Sequence, residues 1–198
     1  MISDRKLVLA SASPRRKELL NQVGLRPVIE PSGIDEKITT TIPREAVIEL
    51  SRQKAEDVAI KQLPGTIVIG ADTVVAADGK ILGKPGSHEE AFEMIQSFQG
   101  KTHQVFTGVT LIFCKEKENI TRSFAEQTDV HVYPMTQEEI RFYAESEEPM
   151  DKAGAYGIQG RFAAFIKGID GDYNNVVGLP VGRVYQELKQ MCEQEGKA

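Results

Sequence analysis

The sequence predicts an α/β fold built on a mixed β-sheet flanked by helices. Helix-like and strand-like segments alternate through the first half of the chain, and two long strand-like segments, 103–114 and 120–132, then follow each other around a polar connection. The chain has 198 residues, of which 40% are hydrophobic, which is enough for one good core. No segment has the composition of a linker, and we therefore expect a single domain over residues 1–198.

The chain begins with a strand that leads directly into a helix. A short apolar run over 6–10 predicts the strand, and a helix over 14–23 follows because Ser13 is a natural N-cap and Pro14 suits the first helical position. Arg16 shares the helical spacing of the apolar residues after it and so enters the inward stripe. The helix start, with Ser11, Arg15 and Arg16 beside it, favours an anion site, most often for phosphate. The alternative is a capped helix whose arginines lie in solvent.

A short strand over 27–30 and a long helix come next. The helix opens at Pro43 and runs to about Leu63, where Pro64 and Gly65 close it. Lys54 has the spacing of the apolar residues of this helix and points the same way. Because a buried ammonium needs a partner, Lys54 either faces a cleft and its phosphate or extends along its stem to solvent.

The run 66–71 is β-branched and apolar, which is typical of a strand buried on both faces of a sheet. It continues to Val75, and an Asp-Gly turn at 78–79 leads to a short strand over 80–82. Asp72 follows the most apolar part, and strand ends of this kind are where α/β proteins assemble their sites. Its carboxylate suits a general base or a divalent-metal ligand, with Glu36 as a second carboxylate; ordinary turn and loop acids are the alternative.

The second half begins with a predicted helix that ends near Gly100. Ser87 and Glu90 have the spacing of a capping box, which marks the start of this helix. The two long strands follow, and Thr136 then opens a helix to about Ser146 in the same way. We expect a further strand over 162–166 and a last helix over 181–191. The inward residues of that last helix are predicted to be Val181, Val184, Tyr185, Leu188 and Met191.

Two loops carry residues that suit ligand binding. Lys84 lies on a tight loop before a helix, a position where most lysines are only solvated. The segment 149–160 is stronger, because three glycines within seven residues allow close backbone approach to a ligand. Within it, Gln159 offers both a donor and an acceptor, as reading the edge of a nucleobase requires.

Composition excludes several classes of protein. The net charge of −5 and the pI near 5.4 argue against a binder of duplex nucleic acid. Two distant cysteines, Cys114 and Cys192, form no zinc pattern and suit a reducing compartment. The N-terminus lacks the apolar core of a signal peptide, and no apolar run approaches 18 residues. We expect a cytoplasmic protein that does not contact a membrane.

Five motifs together resemble the Maf family of nucleoside triphosphate pyrophosphatases. They lie at 11–20, 70–73, 83–85, 151–160 and 176–180, in the expected order. The resemblance implies two lobes around a central nucleotide cleft and hydrolysis of a nucleoside triphosphate to monophosphate and pyrophosphate with a divalent metal, Mg²⁺ or Mn²⁺. It also implies roles for single residues: Asp72 as proton acceptor, Asp72 and Glu36 at the metal, and Arg15, Arg16, Glu36, Lys54 and Lys84 in handling the phosphates and the metal.

The resemblance extends to the substrate. The subgroup that acts on dTTP and UTP has arginine, threonine and glutamine at the positions of Arg15, Thr73 and Gln159, and this sequence shows that pattern. Two alternatives stay open: the same chemistry on altered purine triphosphates, and a nucleotide-binding regulator of septum formation that acts through a division-protein partner the sequence does not identify. The two long strands could also reach a second subunit in a homodimer.

Overall fold

The computed structural model describes residues 2–195, apart from the side chains of Ser3 and Glu195. Seven strands form one mixed sheet, which confirms the predicted α/β class. The strands are β1 (Leu7–Leu9), β2 (Val28–Ile29), β3 (Ile67–Ala77), β4 (Lys80–Leu82), β5 (Thr102–Phe113), β6 (Ile120–Val132) and β7 (Ile166–Asp170). The helices are α1 (Pro14–Gln22), α2 (Pro43–Ala59), α3 (His88–Phe98), α4 (Gln137–Ala144), α5 (Tyr173–Val177) and α6 (Val181–Glu195), with 3₁₀ turns at Ile2–Asp4, Ala153–Ala155 and Arg161–Phe165.

The sheet has the order β2-β1-β3-β5-β6-β7, with β4 paired to β3. Only the pairs of β1 with β2 and of β1 with β3 are parallel; all others are antiparallel. The expected single domain over 1–198 includes Met1 and residues 196–198, which lie outside the described residues. None of the helices within residues 2–195 combines the length and apolar character needed to cross a bilayer.

Strand β3 is flanked unequally on its two edges. One edge pairs with β5 along residues 67–76. The other edge pairs with β1 at residues 67–69 and with β4 at residues 75–77. Among the described residues no strand covers 70–74 on that second edge, and a gap is left in the sheet there.

Helix α2 packs directly on one face of β3 and β5. A Cβ at Gly70 would lie 2.3 Å from the Ser51 carbonyl oxygen, and one at Gly108 would lie 2.1 Å from that of Val47. Both contacts are with helix backbone, which cannot rotate away. The two glycines therefore set how closely α2 approaches the sheet.

Two hydrophobic clusters cover the opposite face of the sheet. One contains residues of α1 and α6, with Leu20 and Leu188 fully buried against β1, β3 and β5. The other joins α3 and α4 to the far end of β3, around Phe98 and Phe162. The gap in the edge of β3 lies between the parts of the strand that these clusters cover.

Most predicted elements are found, with three corrections. Helix α2 ends at Ala59 instead of Leu63, because Ile60 and Leu63 are exposed and add nothing to its buried face. Residues 161–165 form a 3₁₀ turn instead of a strand, since this places Phe162 and Phe165 together with ring centroids 5.6 Å apart. Tyr185 is exposed, so it does not belong to the inward stripe of α6.

Helix α5 is an element that the sequence did not predict. Asp172 is its N-cap and accepts a hydrogen bond from the Asn174 amide at 2.8 Å. The cap at Ser13 is also different from the expected one. Ser13 holds the N-cap position, but its side chain makes no capping hydrogen bond.

Candidate active site

A cavity of about 770 Å³ adjoins the gap in the edge of β3. Its walls come from the start of α1, the loop before α2, α2 itself, the middle of β3, the β4–α3 loop, the segment 151–160 and the end of α5. All the residues singled out as site candidates line it: Ser11, Arg15, Arg16, Glu36, Lys54, Asp72, Thr73, Lys84 and Gln159. The fold thus brings together side chains that are up to 148 positions apart in the chain.

Lys54 lies between two carboxylates. Its ammonium is 2.5 Å from Asp72 Oδ1 and 3.0 Å from Glu36 Oε1. The side chains of Lys54 and Asp72 are only 14% and 15% exposed, whereas that of Glu36 is 44% exposed. Lys54 therefore faces the cleft and is paired with two carboxylates there, instead of extending along its stem to solvent.

Asp72 lies in the middle of β3, and the expectation that it follows the end of a strand is wrong. It pairs in register with Gly108 of β5, on the face that carries α2. The gap in the opposite edge, and not a strand end, opens this position to the cavity. Because Gly70 allows α2 to lie against the strand, Lys54 of α2 reaches the Asp72 carboxylate.

Arg16 is buried and held by three oxygen atoms. Its Nε donates to the Gly178 carbonyl at 2.9 Å, Nη1 to Ser11 Oγ at 2.8 Å and Nη2 to Thr73 Oγ1 at 3.1 Å. Burial lowers the pKa of the guanidinium, while the nearby charges of Asp72 and Glu36 act in the opposite direction. None of its hydrogen bonds goes to a carboxylate, so this cation at the cavity wall is available to a bound anion.

Arg15 forms a contact across the cavity. Its Nη1 donates to Asp151 Oδ2 at 2.9 Å, and the other oxygen of Asp151 accepts from Lys152 at 2.6 Å. Burial disfavours the charged Asp151 carboxylate, but the hydrogen bonds from Lys152 and Arg15 outweigh it and lower the pKa. The ion pair links the start of α1 to the glycine-rich segment that carries Gln159.

The remaining candidates differ in how far the protein already uses their polar groups. The Thr73 hydroxyl contacts Arg16, Thr107 Oγ1 at 2.9 Å and the Gly178 carbonyl at 3.4 Å. Lys84 and Gln159 are exposed, and neither side chain is hydrogen bonded to another described residue. These two side chains are therefore free to meet a ligand.

The acidic pair has donors that suit a divalent cation. Mg²⁺ is usually held by one or two carboxylates together with phosphate oxygens and waters. Asp72 and Glu36 supply two such carboxylates, and they already hold the ammonium of Lys54 between them. Within residues 2–195 no group of three or more His, Cys, Asp and Glu side chains could hold a metal by itself. Oxygen atoms of a bound ligand would therefore have to complete the coordination.

Sequence reasoning missed several residues that organise the cavity. Asp151 and Lys152 lie in the segment 149–160, which the sequence marks as suited to ligand binding. The need of Arg15 for a counter-ion could have identified Asp151. Gly178 acts through its carbonyl, which no sequence pattern reveals. Thr107 lies in the middle of β5 and resembles any other strand residue.

Comparison with known proteins places the chain among relatives of similar length. A family model described as Maf-like protein matches residues 6–191. A protein of Agathobacter rectalis named dTTP/UTP pyrophosphatase is 53% identical over 199 residues, which cover 94% of this chain and 97% of that protein. Proteins of the same name from Carboxydothermus hydrogenoformans and Bacillus pumilus are 51% and 50% identical over 185 residues, covering 93% of this chain and 98% and 95% of theirs.

Among solved structures, the Staphylococcus aureus Ham1 protein matches part of this chain. It is 14% identical, covers 65% of this chain and 72% of its own, and superposes with a TM-score of 0.44. A likeness of this size carries no weight for the site.

Proposed function

This chain belongs to the Maf-like protein family, and we propose that it is a nucleoside triphosphate pyrophosphatase that hydrolyses dTTP and UTP to the monophosphate and pyrophosphate. The observation that carries this proposal is the cavity beside β3, in which the Asp72 and Glu36 carboxylates face the cations Arg15, Arg16, Lys54 and Lys84. A triphosphate needs such a cluster of cations, and its hydrolysis needs a carboxylate among them. The names of the relatives supply the substrates.

In the proposed reaction, Asp72 accepts a proton from a water molecule as the water oxygen bonds to the α-phosphorus. The bond from that phosphorus to the oxygen bridging the α- and β-phosphates breaks, and pyrophosphate leaves with the bond's electron pair. Arg16 and the start of α1 bind the phosphate oxygens, and Lys84 has no partner among the described residues that would compete for it. Lys54 orients the Asp72 carboxylate through its charge-assisted hydrogen bond.

We propose that a divalent cation, Mg²⁺ or Mn²⁺, belongs to this site, with Asp72 and Glu36 holding it. When bound, it would neutralise charge on the phosphates and acidify a coordinated water. The nucleobase of the substrate would lie towards Gln159 and Arg15. The ion pair of Arg15 with Asp151 fixes the Arg15 guanidinium near the glycine-rich segment. We further propose a cytoplasmic location, on the basis of the sparse and widely separated cysteines of the sequence and of a nucleotide substrate.

A substrate panel tests the proposal. Pyrophosphate release is measured from dTTP, UTP, CTP, GTP, methyl-GTP and ITP, with Mg²⁺ and with Mn²⁺, for the native protein and for Asp72→Asn. We expect dTTP and UTP to be the best substrates, and we expect Asp72→Asn to lose at least a hundredfold in kcat while it still binds nucleotide. Preference for a purine would overturn the assignment of Arg15, Thr73 and Gln159. Nucleotide binding without pyrophosphate release from any triphosphate would favour the regulator instead.

A further inference from the structure

A buried chain of hydrogen bonds extends from Arg16 into the sheet. Thr73 and Thr107 lie directly opposite each other on β3 and β5, so their side chains share the face that carries α1 and α5. Thr73 Oγ1 is 3.1 Å from Arg16 Nη2 and 2.9 Å from Thr107 Oγ1. Thr107 is fully buried and does not line the cavity.

The direction of each hydrogen bond in this chain follows from counting protons. Thr107 Oγ1 donates to the backbone carbonyl of Asn175 at 3.0 Å, and a hydroxyl has only one proton to donate. At the 2.9 Å contact Thr107 therefore accepts and Thr73 donates; the other acceptor near the Thr73 hydroxyl, the Gly178 carbonyl, lies farther away at 3.4 Å. With its proton directed at Thr107, Thr73 presents a lone pair to the Nη2–H of Arg16.

Thr107 also supports the other side of the guanidinium. Asn175, whose carbonyl it binds, belongs to α5 and is fully buried, with its amide donating to the Val105 carbonyl and to Thr128 Oγ1, each at 3.0 Å. Helix α5 ends at Val177, and the carbonyl of the next residue, Gly178, accepts from Arg16 Nε. The Thr107 hydroxyl thus contacts one of the three groups that bind Arg16 directly, through Thr73, and the helix that precedes a second one, through Asn175.

We propose that Thr107 is a positioning residue for the anion site: through Thr73 and α5 it fixes the Arg16 guanidinium in the orientation that binds the polyphosphate. The identity of the anion rests on the proposed function, but the hydrogen-bond chain does not. Removing the hydroxyl frees the Thr73 proton and takes one of two donors from the Asn175 carbonyl, which keeps the backbone N–H of Gly178 at 3.1 Å. Arg16 then loses its fixed orientation at the cavity wall.

The chain offers a matched control on the same strand. Thr110 of β5 is fully buried like Thr107, and its hydroxyl contacts Ser51 Oγ and Ser123 Oγ, each at 2.9 Å. It lies on the opposite face, against α2, and outside the cavity. Thr110→Val therefore removes one buried hydroxyl with two hydrogen-bond contacts, as Thr107→Val does, but none of these contacts leads to Arg16.

The experiment compares Thr107→Val, Thr107→Ser and Thr110→Val with the native protein. Binding of inorganic pyrophosphate is measured by calorimetry, kcat and KM are measured with dTTP, and thermal unfolding gives the stability of each variant. We expect Thr107→Val to bind pyrophosphate about tenfold more weakly and to lose a similar factor in kcat/KM. Thr107→Ser keeps the hydroxyl and stays within about twofold of native. Thr110→Val loses as much thermal stability as Thr107→Val but keeps native binding.

Two results would overturn the proposal: equal pyrophosphate binding by Thr107→Val and the native protein, or equal weakening in Thr107→Val and Thr110→Val. Failure of the native protein to bind pyrophosphate would also overturn it. If the native protein binds pyrophosphate but hydrolyses neither dTTP nor UTP, the proposed function fails alone, and the binding comparison still decides the role of Thr107.

Discussion

Lys54 is the residue on which the acidic side of the cavity depends. Its ammonium lies between the Asp72 and Glu36 carboxylates and offsets the repulsion between their negative charges. We expect Lys54→Ala to lower kcat/KM for dTTP by about a hundredfold, because the variant loses both a phosphate-neutralising cation and the group that orients Asp72. The midpoint of thermal unfolding should change by only a few degrees, since the cleft gives the two acids access to water.

Lys61 provides the control for that prediction. It forms an exposed ion pair with Asp57 just beyond the end of α2, at 3.2 Å. Lys61→Ala should leave both activity and stability close to native, because exposed pairs contribute little. A Lys54→Ala variant that is fully active but much less stable would show that the lysine serves the fold instead of the reaction.

Single residues of the site differ in how well the sequence announces them. Lys54 stands out because a charge at an apolar helical position demands an explanation from local spacing alone. The partners that explain it come from β3 and from the loop before α2, and no local pattern identifies them. Asp151 and Thr107 give no local signal, since their importance lies in contacts with Arg15 and Thr73, which are 136 and 34 positions away.

At the scale of elements, the contact between α2 and β3 determines where Lys54 lies. Gly70→Ala would place a Cβ 2.3 Å from the Ser51 carbonyl oxygen and 2.8 Å from Ala55 N, so the helix must move outward. We expect a loss of about 2–3 kcal/mol in the free energy of unfolding, the upper range for overpacking. Activity should fall further than this loss explains, because Lys54 moves away from Asp72 with the helix. Urea denaturation and dTTP hydrolysis measure the two effects.

Gly182→Ala is the matched substitution for comparison. Gly182 lies in α6, where an added Cβ would meet no atom within 4 Å. Because alanine is the better helix former by about 1 kcal/mol, this variant should be slightly more stable and equally active. If Gly70→Ala behaves in the same way, the close packing of α2 is not what positions Lys54.

Elements with strong local signals were predictable, and those defined by distant contacts were not. The long strands β5 and β6 are rich in β-branched and aromatic residues over a dozen positions, and the Thr136 capping box is formed as expected, with the Glu139 carboxylate accepting from the Thr136 backbone N–H. The apolar run 162–166 fits a strand or a turn equally well. Aromatic packing decides between them, with Phe162 against Phe98 and Tyr156.

At the scale of the whole molecule, His103 links stability to pH. It is fully buried, its Nε2 lies 2.7 Å from Tyr156 Oη, and its Nδ1 has no hydrogen-bond partner in the described chain. Burial lowers its pKa from 6.5 to about 4. As the pH falls, His103 is therefore protonated in the unfolded chain at a higher pH than in the folded protein.

The sign of the pH effect follows from that difference. The contribution of His103 is intact above pH 6.5 and is lost progressively towards pH 4, where about 3 kcal/mol of stability has gone. His103→Gln retains a polar partner for Tyr156 but does not titrate. We expect its free energy of unfolding, followed by urea denaturation from pH 7 to pH 4.5, to fall less steeply than that of the native protein. Parallel curves would contradict the assignment.

The alternation of side chains along β3 divides the cavity between two sets of residues. Asp72 points to the face of α2 and bonds Lys54, whereas Thr73 points to the face of α1 and α5 and bonds Arg16 and Thr107. Although the two residues are adjacent in the chain, their side chains share no hydrogen-bond partner. A substitution at Thr73 therefore changes the contacts of Arg16 and Thr107 while the hydrogen bond between Asp72 and Lys54 stays intact. A single peptide plane thus separates the hydrogen bonds of the carboxylate side of the cavity from those of the guanidinium side, while the charges of Asp72 and Glu36 act across it on Arg16.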